Sequence, residues 1–230
     1  MLKAIIYDLS RFFSRILIRI FFRGRWSGEE NLPCTGGALV CSNHQSAIDP
    51  ILVGAGVPRR MNYLARESLF RFKPFAWLIR CYNAIPIQRE GIGIGGLKET
   101  LKRLKRGGMV LIFPEGTRTS DGSILPVKPG FCALVRRGKV PIIPVAMHGA
   151  FEAFPRHRML PRLAKIGIHY GQPISVSEIN SMQDDELMEL LHNKLVQYHE
   201  IAKNLHHNQT QPQIHSQAVK QTADDSGKPI

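Results

Sequence analysis

The sequence predicts an α/β fold, a mostly parallel sheet flanked by helices and preceded by an N-terminal amphipathic helix. Three observations carry this. Short apolar runs alternate with helix-period patterns over most of the chain, as strand–helix–strand units require. Of 230 residues, 43% are hydrophobic and 21% charged, a globular balance that can fill one domain core. The first 25 residues follow a different rule, with cations on a four-residue register among Ile, Leu and Phe.

In that opening stretch Lys3, Arg11, Arg15, Arg19 and Arg23 share one register, and Tyr7 fills the gap. On a helix they form a basic stripe beside a broad apolar face. No uncharged run exceeds four residues, which argues against a membrane span or a signal peptide. Residues 1–25 are therefore expected to lie in a membrane interface with arginines reaching the phosphates. The alternative is a helix packed on its own domain or on a partner.

From Trp26, strands are predicted at 38–42, 61–65, 84–87, 109–113, 141–147 and 166–170. Helices are predicted at about 50–56, 74–82, 97–106, 129–137 and 184–203; Asp184, Asp185 and Glu186 suit the start of the last. The 141–147 strand contains Pro144, which cannot donate to a ladder. It should bulge or lie near an edge. The domain is expected to span 26–203, followed by a disordered polar tail over 204–230.

Lys and Arg number 31 against 18 Asp and Glu, a formal charge of +13. Such a chain is drawn to polyanions: nucleic acid, anionic lipid or phosphorylated substrates. Cys34, Cys41, Cys81 and Cys132 show no paired spacing, so neither a zinc site nor a disulfide framework is indicated and a reducing compartment is expected.

In sheets of this kind working residues gather beyond the carboxyl ends of strands. Three such loops carry chemistry. After strand 38–42 comes Asn43-His44-Gln45-Ser46-Ala47-Ile48-Asp49-Pro50. His44 is the proton acceptor best matched to neutral pH, and Asp49 can orient it. Asp49 before Pro50 equally suits a helix N-cap. A rotation of about 140° separates positions five apart on one helix, so a working pair puts His44 in the turn and Asp49 in the first helical turn. After strand 84–87 comes Arg89, placed to hold a phosphate or simply solvated. After strand 109–113 comes Pro114-Glu115-Gly116-Thr117-Arg118. An arginine, a hydroxyl and free backbone N–H groups there make an anion pocket, and Glu115 can pair with an arginine. A polar turn with an internal ion pair is the bland alternative. Gly91-Ile92-Gly93-Ile94-Gly95-Gly96 also matches a dinucleotide fingerprint, but Gln88-Arg89-Glu90 intervenes where that turn should be tight.

Taken together, Asn43-His44-x4-Asp49, Ile85-Pro86-Ile87-Gln88-Arg89, Phe113-Pro114-Glu115-Gly116-Thr117-Arg118 and Val140-Pro141-Ile142-Ile143-Pro144-Val145 resemble the glycerolipid acyltransferases, most of all those acting on 1-acyl-sn-glycerol-3-phosphate. The likeness covers about residues 26–180; Ala84 stands where the second block commonly has glycine. It implies acyl transfer from acyl-CoA or acyl carrier protein, as co-substrate, to the sn-2 hydroxyl of lysophosphatidic acid. His44 would be the base and Asp49 its partner; Glu115, Gly116, Thr117, Arg118 and Arg89 would line the acceptor site. It implies no metal or other cofactor, a place on the cytoplasmic face of a membrane as a peripheral or monotopic protein, and anionic lipid rather than nucleic acid as partner. Alternatives are another lysolipid or an acylated amine as acceptor, a non-catalytic membrane-binding module, and a dinucleotide-binding enzyme.

Overall fold

A seven-stranded sheet organises the chain, in the order β1-β7-β6-β2-β5-β3-β4. The computed structural model describes residues 2–88 and 93–206. Its strands are β1 (Arg25–Ser27), β2 (Ala38–Ser42), β3 (Met61–Arg66), β4 (Ala84–Ile87), β5 (Met109–Ile112), β6 (Ile142–His148) and β7 (Gly167–Tyr170). Its helices are α1 (Leu2–Phe21), α2 (Asp49–Gly56), α3 (Lys73–Cys81), α4 (Gly93–Lys105), α5 (Gly130–Gly138), α6 (Ala150–Ala153), α7 (Val176–Ser181) and α8 (Asp184–Asn204). The tail expected after α8 lies outside the described residues from 207 onward.

Strands β2 to β6 run parallel, whereas β7 is antiparallel to β6 and carries β1 parallel to itself. β1, α6 and α7, with three to six residues each, are too short to show a period in sequence. Alternation along β2 sends Ala38 and Val40 to one face and Leu39 and Cys41 to the other. The first face is covered by α2 through Leu52 and Val53 and by Ile18 of α1. The second is covered by α5 and by Leu187, Leu191 and Leu195 of α8, a four-residue spacing that faces one side of a helix. Burying each such leucine contributes about 1.5–3 kcal/mol.

Pro144 corrects the expectation of an edge strand. β6 lies inside the sheet, with Pro144 opposite Cys41 of β2. The bulge sits on its neighbour: β6 pairs Val145 with Tyr170 and Ile142 with Ile174, three steps against four. Pro144 turns its polar edge toward that bulge, where its carbonyl accepts from the Gly171 N–H at 2.8 Å. The missing N–H therefore meets no regular ladder partner.

Helix α1 is docked with its polar side inward. Arg11 donates to the Val57 carbonyl; Arg15 donates to Glu29 at 2.8 Å and to the Ala55 carbonyl at 3.3 Å. Those carbonyls end α2, where a helix dipole welcomes cations. Arg15 also lies 4.9 Å from the Trp26 ring centre. The expectation that these two arginines reach outward is thus overturned. Leu2, Ile5, Leu9, Phe12, Phe13, Leu17, Ile20 and Phe21 are exposed instead, and only Tyr7 and Ile18 of α1 are buried. A left-handed Arg23 (φ 47°) ends this segment.

Candidate active site

The carboxyl ends of β2 and β5 are adjacent because these strands pair in register, Cys41 opposite Ile112. The loops that follow them must therefore meet. Nearly every residue of the β2 loop is tied down. Asn43 exchanges two bonds of 2.9 Å with the Met147 backbone. Gln45 donates to the Gly122 carbonyl at 2.9 Å and Ser46 to the Phe154 carbonyl at 2.7 Å. The His44 carbonyl accepts from the Thr119 N–H at 2.9 Å.

His44 Nδ1 meets Asp49 Oδ2 at 2.8 Å, and its ring stacks on Phe113 with centres 3.9 Å apart and planes 13° apart. The His44 side chain is 19% exposed and that of Asp49 fully buried. A carboxylate only accepts, so Nδ1 carries the hydrogen, and in the neutral ring Nε2 is the nitrogen that bears the lone pair. Asp49 Oδ2 also accepts the Gln45 and Ser46 N–H groups, each at 2.7 Å. Burial pushes the Asp49 carboxyl up from its ordinary value, while the bonds from His44 and from these two amides pull it back. The helix-cap alternative does not describe this geometry: Ile48 occupies the cap of α2, and Asp49, in the first turn, folds back to the histidine.

In the β5 loop, Glu115 Oε1 accepts the His44 backbone N–H at 3.2 Å. Burial raises its pKa from 4.5 to about 8, partly offset by the backbone N–H groups of His44 and Leu125 and reinforced by the Asp49 charge. Its expected arginine partner is missing; among the described residues Glu115 forms no ion pair. Glu115 props the histidine loop from beneath. Gly116 turns with φ 69° and its N–H closes onto the Phe113 carbonyl at 3.0 Å, so that amide, expected to be free, is spent on the turn. A Cβ at Gly116 would also stand 3.1 Å from Lys128 Cδ. Thr117 and Arg118 follow, both half-buried.

Burial lowers the Arg118 pKa, as do the positive charges of Arg156 and Arg66, with Asp49 acting in the opposite sense. Arg66 ends β3, Arg118 follows β5, Arg156 follows α6, and Lys128 packs over Gly116. Among the described residues none of these four joins an ion pair. Such a cluster suits a phosphate. Arg66, Lys128 and Arg156 were not singled out from sequence. Arg66 had the signal that marked Arg89, a cation just past a strand; Lys128 and Arg156 had none. Arg89 itself lies outside the described residues.

The dinucleotide alternative finds no support in the topology. β4, which precedes the glycine run, is the sheet's edge strand, whereas such sites belong where strand order reverses inside a sheet. Gly91 and Ile92 lie outside the described residues.

A doubly flanked α/β sheet with a carboxylate-backed histidine and cations at neighbouring strand ends defines an enzyme of the acyl-transfer class. A family model described as Acyltransferase matches residues 23–148, more than half of the sequence, and the chain belongs to that family. It is an acyltransferase. Its relatives include the 1-acyl-sn-glycerol-3-phosphate acyltransferase of Bacillus subtilis, 31% identical over 69% of this chain and 77% of that protein. The protein of the same name from Streptococcus pneumoniae is 30% identical over 64% of this chain and 53% of its own length. A coconut (Cocos nucifera) relative, again of that name, is 27% identical over 67% and 51%; the chain thus spans about half the length of these last two. Among solved structures, the 1-acyl-sn-glycerophosphate acyltransferase of Thermotoga maritima shares the fold, with a TM-score of 0.74, 24% identity, and coverage of 89% of this chain and 80% of that one.

Proposed function

We propose that the chain transfers an acyl group from a thioester, acyl-CoA or acyl carrier protein, to the sn-2 hydroxyl of 1-acyl-glycerol-3-phosphate, giving phosphatidic acid. One observation carries this: a histidine whose Nδ1 is held by a buried carboxylate stands near cations that, among the described residues, join no ion pair. The names of the relatives support the acceptor. Arg118, Arg66, Lys128 and Arg156, with Arg89, hold the acceptor phosphate; Gly116 and Thr117 shape that wall, and Glu115 holds His44 in place. As the sn-2 oxygen attacks the thioester carbonyl, His44 Nε2 takes its proton and Asp49 stabilises the imidazolium. The tetrahedral intermediate collapses, the carbon–sulfur bond breaks, and the departing thiolate takes the proton from His44. The scheme calls on no metal or other cofactor.

The enzyme works on the cytoplasmic face of a membrane as a peripheral or monotopic protein. Among the described residues no helix is long and apolar enough to cross a bilayer. The outward apolar side of α1 supports interfacial attachment, since water disfavours so large an exposed apolar surface. Helix α3 lies beside α1, with the ring of Tyr82, just past its end, 5.5 Å from that of Tyr7; exposed Trp77 on α3 and exposed Phe72 just before it add to this surface.

The test is acyl transfer with both donors against a panel of lysolipids, with His44→Ala as control. Transfer to 1-acyl-glycerol-3-phosphate that is abolished in the variant is expected. No transfer to any lysolipid, or full transfer by His44→Ala, overturns the proposal.

A further inference from the structure

Past Arg156, the chain between α6 and β7 holds a feature that the catalytic scheme does not use. Residues 156–165 read Arg-His-Arg-Met-Leu-Pro-Arg-Leu-Ala-Lys, with no acidic residue. Met159, Leu160 and Leu163 are 93%, 77% and 76% exposed. Three large apolar side chains held in water by one basic loop are costly unless something covers them.

The loop is fastened at both ends. At its start the Phe154 carbonyl accepts from Ser46 of the catalytic loop, and Arg156 adds its charge to Arg118. At its end the Ile166 N–H donates to the Phe22 carbonyl at 3.0 Å, just past α1. The exposed loop is thus continuous with the apolar side of α1, which ends in Ile20 and Phe21. Beside this junction lies a hollow of about 540 Å³ lined by Arg19, Arg23, Arg25, Lys165 and His206. All of this sits at the sheet end where β2, β3, β5 and β6 finish, because β7 starts at Gly167 opposite His148.

We propose that this loop is a second membrane-inserting element. Met159, Leu160 and Leu163 enter an anionic bilayer, while Arg158 and the cations of the hollow take lipid phosphates. Charge complementarity and continuity with α1 favour a bilayer over a protein partner. Resting on the membrane reading above, the proposal adds an orientation. Tyr7 of α1 lies beside Met61 at the start of β3, so α1 alone would set the sheet alongside the membrane; with the loop embedded as well, the active-site end tilts toward the lipid, and an acceptor reaches His44 without leaving the bilayer surface.

The test uses the full chain and vesicles of phosphatidylcholine mixed with phosphatidylglycerol. An environment-sensitive fluorophore is placed on Leu160→Cys in a Cys34→Ser background, since Cys34 alone of the native cysteines is exposed. A blue shift on vesicles is expected, quenched by lipids brominated along the acyl chain. The triple variant Met159→Ser, Leu160→Ser, Leu163→Ser should bind at least ~10-fold more weakly, while acylating a short-chain, monomeric acceptor at the wild-type rate. Wild-type binding with no blue shift and an unweakened triple variant overturns the loop's role and leaves the attachment by α1 standing. Failure of the wild type to bind vesicles at all overturns both. A triple variant that also loses activity on the monomeric acceptor, or binding restored by a protein partner in place of lipid, counts against insertion.

Discussion

His44 is a base because of what holds its other nitrogen. With Nδ1 committed to Asp49 and the ring stacked on Phe113, Nε2 has one orientation and one tautomer. Asp49→Asn exchanges an acceptor for a donor on one side and permits the wrong tautomer. The expected result is a loss of ~10²-fold or more in kcat, with acceptor KM little changed, read by steady-state kinetics. Glu115 gives a pH signature. The folded protein holds a proton on this group up to about pH 8, whereas the unfolded chain releases it near 4.5. The native state then binds more protons across that window, so stability falls as pH rises through it. This contribution is full below 4.5 and gone above about 8. Glu115→Gln keeps an oxygen for the His44 N–H and should flatten the decline, by up to roughly 1.4 kcal/mol per pH unit. Denaturant melts of both proteins from pH 5 to 9 measure it; parallel curves would refute the assignment.

At the scale of elements, α1 is an amphipathic helix mounted apolar side out. Its attachment is polar: the Tyr7 hydroxyl accepts from the buried Met61 N–H at 2.9 Å and bonds the hydroxyl of half-buried Tyr63 at 3.0 Å. Tyr7→Phe should cost about 1 kcal/mol or somewhat more, because it orphans a buried amide; urea unfolding measures this. Removing α1 whole would strip Tyr7 and Ile18 from the core, so membrane attachment is better tested by exposed residues. Phe12→Ser with Phe13→Ser should leave the melting temperature unchanged and weaken vesicle binding several-fold. Vesicle sedimentation decides, and undiminished binding would remove α1 from the contact. The periodicity of 1–25 showed that two sides exist but not which faces the domain. Docking chose, because the end of α2 offers carbonyls and Glu29 a carboxylate to Arg11 and Arg15.

At the scale of the whole molecule, phosphate recognition is divided among elements far apart in sequence. Arg66, Arg118 and Arg156 act on one region only because β3, β5 and β6 end together. Arg66→Gln and Arg118→Gln should each raise the KM for a phosphate-bearing acceptor about tenfold and spare a phosphate-free one; equal effects on both acceptors would argue against phosphate contact. The strands from 38 to 170 and six helices, α1 among them, were legible in the sequence because their hydrophobic periods are local and long enough to register. So was the His44–Asp49 geometry, since a five-residue spacing excludes a shared helical face, and so was the turn at Gly116. Tertiary structure alone decided the rest. Pairing placed Pro144 inside the sheet opposite a bulge, buried Glu115 under the histidine loop instead of beside an arginine, and brought Arg156 to Arg118 and Lys128 to Gly116. Each of these depends on which strand ends are neighbours, and strand order is set by packing both faces of the sheet at once, a constraint that no local stretch of sequence contains.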